Sequence, residues 1–458
     1  MVLRIGNGAG FWGDSQDAAV RLAQTGELDY LTLEYLAEFT MSILARLRQK
    51  NPQAGYATDF VQVLQRLASS LNFQPQLHVV TNAGGMNPHA CAAAAGKLLS
   101  EQGLGELKIA TVAGDDILQQ VEEIQRQGCA LENFDTGQPL AELKKPLVSA
   151  NAYLGARPIA EALGEQARVV ITGRVADASL TLGPAMQRFG WAWDDWNRLA
   201  GASVAGHLIE CGAQATGGLS HDWERLELTH VGYPIAELDE SGQCHITKPA
   251  DTGGAVNRRT VIEQMVYEIG DPTQYITPDV TVDFSTVEVS QAGPDRVQVA
   301  GASGKAATDF YKASLAYDDG FTASGQLLVY GRDCVRKARA AGAMVLERVE
   351  AAGYVLDTAL VECIGAGVGV PGLHQPPADL REVMLRITVR DARRAAVERF
   401  TRELAPLITS GPPGLAGYTS SSSSVRPSFA YWPTLVPKSL VTSHIEVRSA
   451  AAWCEVSR

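Results

Sequence analysis

Short apolar runs rich in β-branched residues, each ending in a glycine- or aspartate-bearing loop and then a helix, recur through about the first 200 residues. No other feature restricts the fold as much. Residues 3–6 lead into Gly8-Ala9-Gly10-Phe11-Trp12-Gly13, and residues 77–80 into Thr81-Asn82-Ala83-Gly84-Gly85-Met86-Asn87-Pro88. Residues 107–112 end in Gly114-Asp115-Asp116, and residues 169–172 in Gly173-Arg174-Val175-Ala176-Asp177. Repeated strand–loop–helix order predicts an α/β fold, with a mostly parallel, helix-covered, Rossmann-like sheet in the N-terminal part. Ligands of such sheets bind beyond the carboxyl ends of the strands, where all four loops are expected. The loop at 81–88 is the most fully specified. Asn87 can cap the following helix, Pro88 sits where a missing N–H costs nothing, and Gly84 lets the backbone approach a ligand closely. Thr81, Asn82, Gly84 and Asn87 are therefore candidate binding residues, at a helix N-terminus suited to an anion.

From about residue 235 the pattern changes. Residues 281–290 and 295–300 alternate like strands, 333–351 and 392–404 read as helices, and 383–389 reads as a strand. A smaller α+β C-terminal domain is expected, giving domains at 1–270 and 271–458, with a Gly/Ser/Pro-rich loop or lid at 411–424. The 458 residues are 46% hydrophobic and 20% charged, enough for two globular domains. A net charge of -12, from 39 basic and 51 acidic side chains, argues against nucleic acid as a partner. No apolar run of about 18 residues predicts a membrane span, and the first residues lack a signal-peptide layout, so a cytoplasmic location is expected. Seven scattered cysteines without a C-x-x-C pair fit reduced thiols and no zinc knuckle.

Several constellations can carry chemistry. Gly8–Gly13 fits G-x-G-x-x-G, with Glu34 near the end of the second strand where a ribose-binding carboxylate would stand. Phe11 and Trp12 are bulky for that role, so a phosphate- or carboxylate-contacting loop through Gly10 and Asp14, or a plain glycine turn, stays open. Arg174 at a strand mouth can grip a carboxylate in a forked geometry, while Asp177 is either an acid/base or only a helix cap. Asp115 and Asp116 are candidates for a general base or a metal ligand, or merely suit a helix dipole. If both faced one cleft, their repulsion would raise one pKa. His207 and Glu210 fall one turn apart on a helix, a possible acid/base pair. Cys211 stands where the H-x-x-E-H zinc signature needs histidine, so no metal site is assigned. Lys248 and Thr252, in a further glycine-rich loop, could meet an anion, although a surface lysine is the plainer reading. No Walker A loop and no G-x-S-x-G elbow occur.

Taken in order, these segments resemble the acyclic terpene utilisation family. The resemblance runs through Gly8–Asp14, Leu28-Asp29-Tyr30-Leu31, Thr81–Pro88, Gly114-Asp115-Asp116 and Ile171–Asp177. It continues through Gly206-His207-Leu208-Ile209-Glu210-Cys211-Gly212, Thr247-Lys248-Pro249, Thr252-Gly253-Gly254 and Asp271–Val280. It implies a bacterial cytosolic protein of the catabolism of citronellol- or geraniol-type acids as CoA thioesters. It supplies no catalytic set to carry over. Longer relatives carry a further ferredoxin-like domain, so a small ferredoxin-like subunit is a conceivable partner, beside a homo-oligomer. The serine run at 420–424 replaces a stretch that is more glycine-rich and basic in relatives.

The expected function is an enzyme acting on a carboxylate or acyl-CoA by proton abstraction next to a carbonyl, of lyase, hydratase or isomerase type, with no cofactor assigned beyond a CoA thioester as substrate. Asn82 and the amides of 84–87 would hold the anionic end or an oxyanion, and Arg174 would clamp a carboxylate. Asp115, Asp177 or the His207–Glu210 pair would move the proton. The alternatives are a non-catalytic subunit and an NAD(P)-linked oxidoreductase.

Overall fold

Val2–Asn7 (β1) opens a ten-stranded sheet in the computed structural model, which describes residues 2–368, 379–417 and 424–455. The other strands are Tyr30–Leu33 (β2), His78–Thr81 (β3), Lys108–Ala113 (β4), Val169–Thr172 (β5), Ile235–Asp239 (β6), Cys244–Thr247 (β7), Glu288–Gly293 (β8), Arg296–Ala300 (β9) and His444–Ser449 (β10). Across the sheet they lie in the order β8-β9-β7-β6-β1-β2-β3-β5-β4-β10. The middle five, β1-β2-β3-β5-β4, are parallel, with Ile5 beside Tyr30, Leu31 beside Val79 and Ile109 beside Val169.

Every pairing outside that centre is antiparallel, so the expectation of a mostly parallel, Rossmann-like sheet is corrected to a mixed one. The cause lies in the stretch from 235 to 300. Hairpin β6–β7 extends the first sheet by edge pairing, and hairpin β8–β9, expected in the second domain, joins it there, while Thr281–Asp283 pairs with Tyr275–Ile276 and Ser303–Lys305 in a separate three-stranded sheet. At the other margin β10 returns from the end of the chain to cover β4.

Successive side chains of a strand face opposite ways. Leu31 and Leu33 join Val79, Ile171, Leu64, Leu67 and Leu99 in one apolar cluster under the helices Gln16–Thr25, Thr58–Phe73 and Pro88–Glu101. Tyr30, facing the opposite way from both leucines, reaches Gln187 of the helix Ser179–Phe189 on the other side. The helix Trp196–Glu210 is buried continuously from Leu199 to Ile209. Being apolar or small all round, it suits an interior and not an amphipathic surface position.

Two compact units result: Met1–Leu315 with Tyr431–Arg458, and Ala316–Ala430. The break expected at 270 thus falls inside the first unit, because β8, β9 and β10 pair within its sheet. In the second unit, Glu382–Asp391 pairs antiparallel with Thr358–Ile364 on one side and with residues 321–330 on the other. Val383, Leu385, Ile387 and Val389 alternate into a core with Val345 and Phe400, from helices Cys334–Ala351 and Arg394–Leu404. Of the loop or lid at 411–424, Leu415–Ala416 form a short strand, and residues 418–423 lie outside the described residues. Among the described residues no helix is long and apolar enough to cross a membrane.

Candidate functional site

Three of the loops that leave the carboxyl ends of the parallel strands open into one cavity of about 820 Å³, wholly within the first unit. Gly10 and Asp14 enter it from the loop after β1, Glu34 and Glu38 from that after β2, and Arg174 and Asp177 from that after β5. Glu210, at the end of the buried helix, and Tyr275 close a further side. The volume is that of a small-molecule site.

Arg174 is the hub. Its guanidinium, almost fully buried, donates from Nη1 to the Leu36 carbonyl at 2.8 Å and from Nη2 to Asp177 Oδ1 at 2.8 Å. Glu34 Oε1 lies 4.0 Å from Nη1, and the Tyr153 ring lies 4.2 Å under the guanidinium carbon, a cation–π contact. The fork is therefore engaged by the protein itself, and Nε has no partner. Burial opposes the charge on Arg174, but Asp177, Tyr153, Glu34 and Glu38 outweigh it and strengthen the guanidinium's hold on its proton.

Around that hub the carboxyls differ. Glu34 is 4% exposed. Burial, then the charge of Asp177, raises its pKa well above the usual range despite Arg174. Its Oε1 accepts from Asn82 Nδ2 and from the Leu36 N–H at 2.9 Å, while Oε2 has no partner. Asp177 is raised to about 6, by burial and by Glu210 against the pull of Arg174. Glu38 goes the other way: burial would raise it, but the Tyr153 hydroxyl, donating at 2.5 Å, and the charges of Lys312 and Arg174 take it to about 2. Neighbouring carboxyls with separated proton affinities are the usual mark of acid and base roles.

Behind the wall stands His207. Its Nε2 faces the Gln264 carbonyl at 3.1 Å and its Nδ1 faces Glu210 Oε1 at 3.1 Å. Two acceptors require two ring N–H donors, which is the imidazolium form. Burial disfavours that charge, but the Glu210 bond and charge and the Gln264 carbonyl outweigh it and raise the ring's pKa. Tyr275 and Phe284 pack around the ring and keep it from the cavity. Glu210 Oε2 is left with no partner.

The sequence candidates thus fall into three groups. Gly10, Asp14, Arg174, Asp177 and Glu210 line the cavity. Asp14 accepts from the Gly10 N–H at 2.8 Å and from the Tyr233 hydroxyl at 2.6 Å, so it braces the loop instead of capping a helix. His207 stands one bond behind Glu210, Asn82 one bond behind Glu34, and Asp115 behind Arg174. Asp115 Oδ2 accepts from the Arg174 N–H at 2.9 Å and from Asn151 at 2.8 Å, and burial raises its pKa to about 7.

The third group lies apart from the cavity. Thr81 donates to the Leu33 carbonyl at 2.8 Å. Asn87 caps its helix by accepting from the Ala90 N–H at 3.3 Å and donates to the carbonyls of Pro52 and Ala54. Gly84 makes a close approach, but to the next loop: a Cβ there would lie 2.5 Å from the Thr172 carbonyl oxygen. Asp116 pairs with Arg48 at 2.9 Å. Lys248 donates to the Thr252 carbonyl at 2.7 Å and pairs with Asp295 at 3.2 Å, and Thr252 opens onto a separate hollow of about 360 Å³.

Glu38, Tyr153, Lys312 and Tyr275 line the cavity without having been singled out in the sequence. They come from four separate segments, and only Glu34, standing at a strand end, offered a local signal. No group of three or more His, Cys, Asp or Glu side chains among the described residues could hold a metal ion.

A protein-family model described as "Acyclic terpene utilisation family protein AtuA" matches residues 3–447. Neither the curated proteins nor the solved structures include a match.

Proposed function

This chain belongs to the acyclic terpene utilisation family, and we propose that it is an enzyme of acyclic terpenoid catabolism that moves a proton at the head group of its substrate. The family's description supports the catabolic role. The chemistry is supported above all by one observation: Asp177 and Glu210 line the same cavity, the first with its proton affinity raised to about 6 and the second held by His207 through Oε1.

Glu210, steadied by His207, is the base. It takes a proton from carbon next to a carbonyl or hydroxyl-bearing centre. Asp177, poised near neutrality, is the acid. In a dehydration it gives its proton to the departing hydroxyl, water leaves and a C=C bond forms; in an isomerisation it gives the proton to the far carbon of the allylic system. Hydration is the first of these run backwards. Glu34, Lys312 and the Tyr153 hydroxyl orient the head, and Arg174 holds Asp177 in place. A lyase, hydratase or isomerase follows from this reading.

The test is solvent deuterium incorporation, read by mass spectrometry, into a panel of acyclic monoterpenoids: alcohol, aldehyde, free acid and CoA thioester. Wild type incorporates deuterium into at least one of them. Asp177→Asn and Glu210→Gln slow that exchange by about 100-fold or more, the scale of general acid–base catalysis. No exchange by wild type, or unchanged exchange in both variants, overturns the proposal.

A further inference from the structure

The interior of the cavity and its mouth differ in character. Inside, the acids Asp14, Glu34, Glu38, Asp177 and Glu210 face two cations, Arg174 and Lys312, and the exposed Glu268 stands farther out beside Tyr267. Both cations are already engaged, Arg174 by Asp177 and Lys312 by Glu38 at 3.2 Å. A free carboxylate, or the phosphates of a CoA, would therefore meet a negative field without an unpaired counter-charge among the described lining residues. An uncharged hydroxyl or carbonyl fits better, because it avoids that repulsion and can still hydrogen-bond the carboxyls and the lysine of the lining.

Apart from Glu268, the exposed part of the lining is largely apolar. Phe11 is 58% exposed, Leu219 85%, Tyr267 41% and Ile276 58%, and all four line the same opening. Single exposed apolar side chains need no explanation, but a ring of them at a cavity does. Leu219 carries a second sign. Its φ of 60° places it in the left-handed region that favours glycine, so a leucine is kept there at a cost in strain and with its hydrocarbon in water. Glu268, beside Tyr267 and also lining the cavity, has a φ of 61°. Strained non-glycine residues gather where a side chain is aimed at a ligand.

We propose that Phe11, Leu219, Tyr267 and Ile276 form a collar that holds the branched hydrocarbon chain of an amphipathic substrate, which enters with its uncharged hydroxyl or carbonyl head toward the carboxyls and without CoA on that head. This rests on the proton-transfer reading for the identity of the site and goes beyond it in naming the form and orientation of the substrate.

Isothermal titration calorimetry on the full chain tests it with four probes: an acyclic monoterpenoid alcohol, the matching carboxylate, its CoA thioester, and a short alcohol with the same head but no branched tail. Wild type binds the long alcohol at least tenfold more tightly than the carboxylate or the thioester. Leu219→Gly, which relieves the left-handed strain, and Ile276→Ser each weaken the long alcohol by roughly five- to tenfold, as expected for losing an apolar contact, and leave the short alcohol unchanged. Equal affinity of both variants for the long alcohol, or tightest binding of the thioester or carboxylate, overturns the collar. Binding is read without turnover, so the two proposals fail separately. Lost exchange in Asp177→Asn with an unaltered collar profile removes only the collar, and collar-dependent binding without any exchange removes only the chemistry.

Discussion

Asp115 shows how far a single carboxyl can be from the role its neighbours suggest. It sits beside Asp116, yet the two take different partners, and its raised pKa comes first from burial, with that neighbour a lesser cause. The folded value of about 7 stands above the ordinary aspartate value of 3.8. The folded state therefore holds the proton more tightly, and stability falls as pH rises between those values. That difference corresponds to at most roughly 4 kcal/mol. Asp115→Asn keeps one oxygen for both the Asn151 and Arg174 donors and removes the ionisation. The variant should match wild type in urea unfolding near pH 4 and exceed it at pH 8; a wild type more stable at pH 8 would contradict this. Arg174, Asp177 and Glu210 were legible in the sequence because each closes a strand or a helix beside glycines. Asn82 and Asn87 looked the same locally, but their amides are satisfied by Glu34, Tyr35, Pro52 and Ala54. Whether a polar loop turns toward a ligand or toward its neighbours is a tertiary matter. Lys312, Tyr153 and Glu38 meet only because three distant segments converge.

At the scale of elements, the loop after β3 supports the site from behind. Gly84 presses against the Thr172 carbonyl at the end of β5, and Asn82 holds Glu34 at the end of β2. Gly84→Ala would set a Cβ 2.5 Å from that oxygen and 2.9 Å from Pro88 Cα, both backbone atoms that cannot step aside cheaply. A loss of about 1–3 kcal/mol in unfolding free energy is expected, as for overpacking in general; an unchanged stability would show that the loops separate freely. The parallel strands and their helices were readable from short β-branched runs and caps. The antiparallel margins were not, because alternation in residues 281–300 announces strands without saying which sheet they join.

For the whole molecule, family membership over residues 3–447 and a polar cavity with an apolar mouth support the same reading: an acyclic terpenoid handled at its head by paired carboxyls. His207 belongs to this scale, since it ties the buried helix to Gln264 while steadying Glu210. His207→Gln should lower kcat with little change in KM if it acts through Glu210, and equal loss in ligand affinity would assign it to binding instead. The most direct test of the account is the pH dependence of kcat/KM in wild type and in Asp177→Asn, with the best substrate of the panel. If Asp177 supplies the proton, the wild-type value falls as pH rises through about 6, and the variant, already slow, lacks that limb. The same limb persisting unchanged in Asp177→Asn would contradict the account.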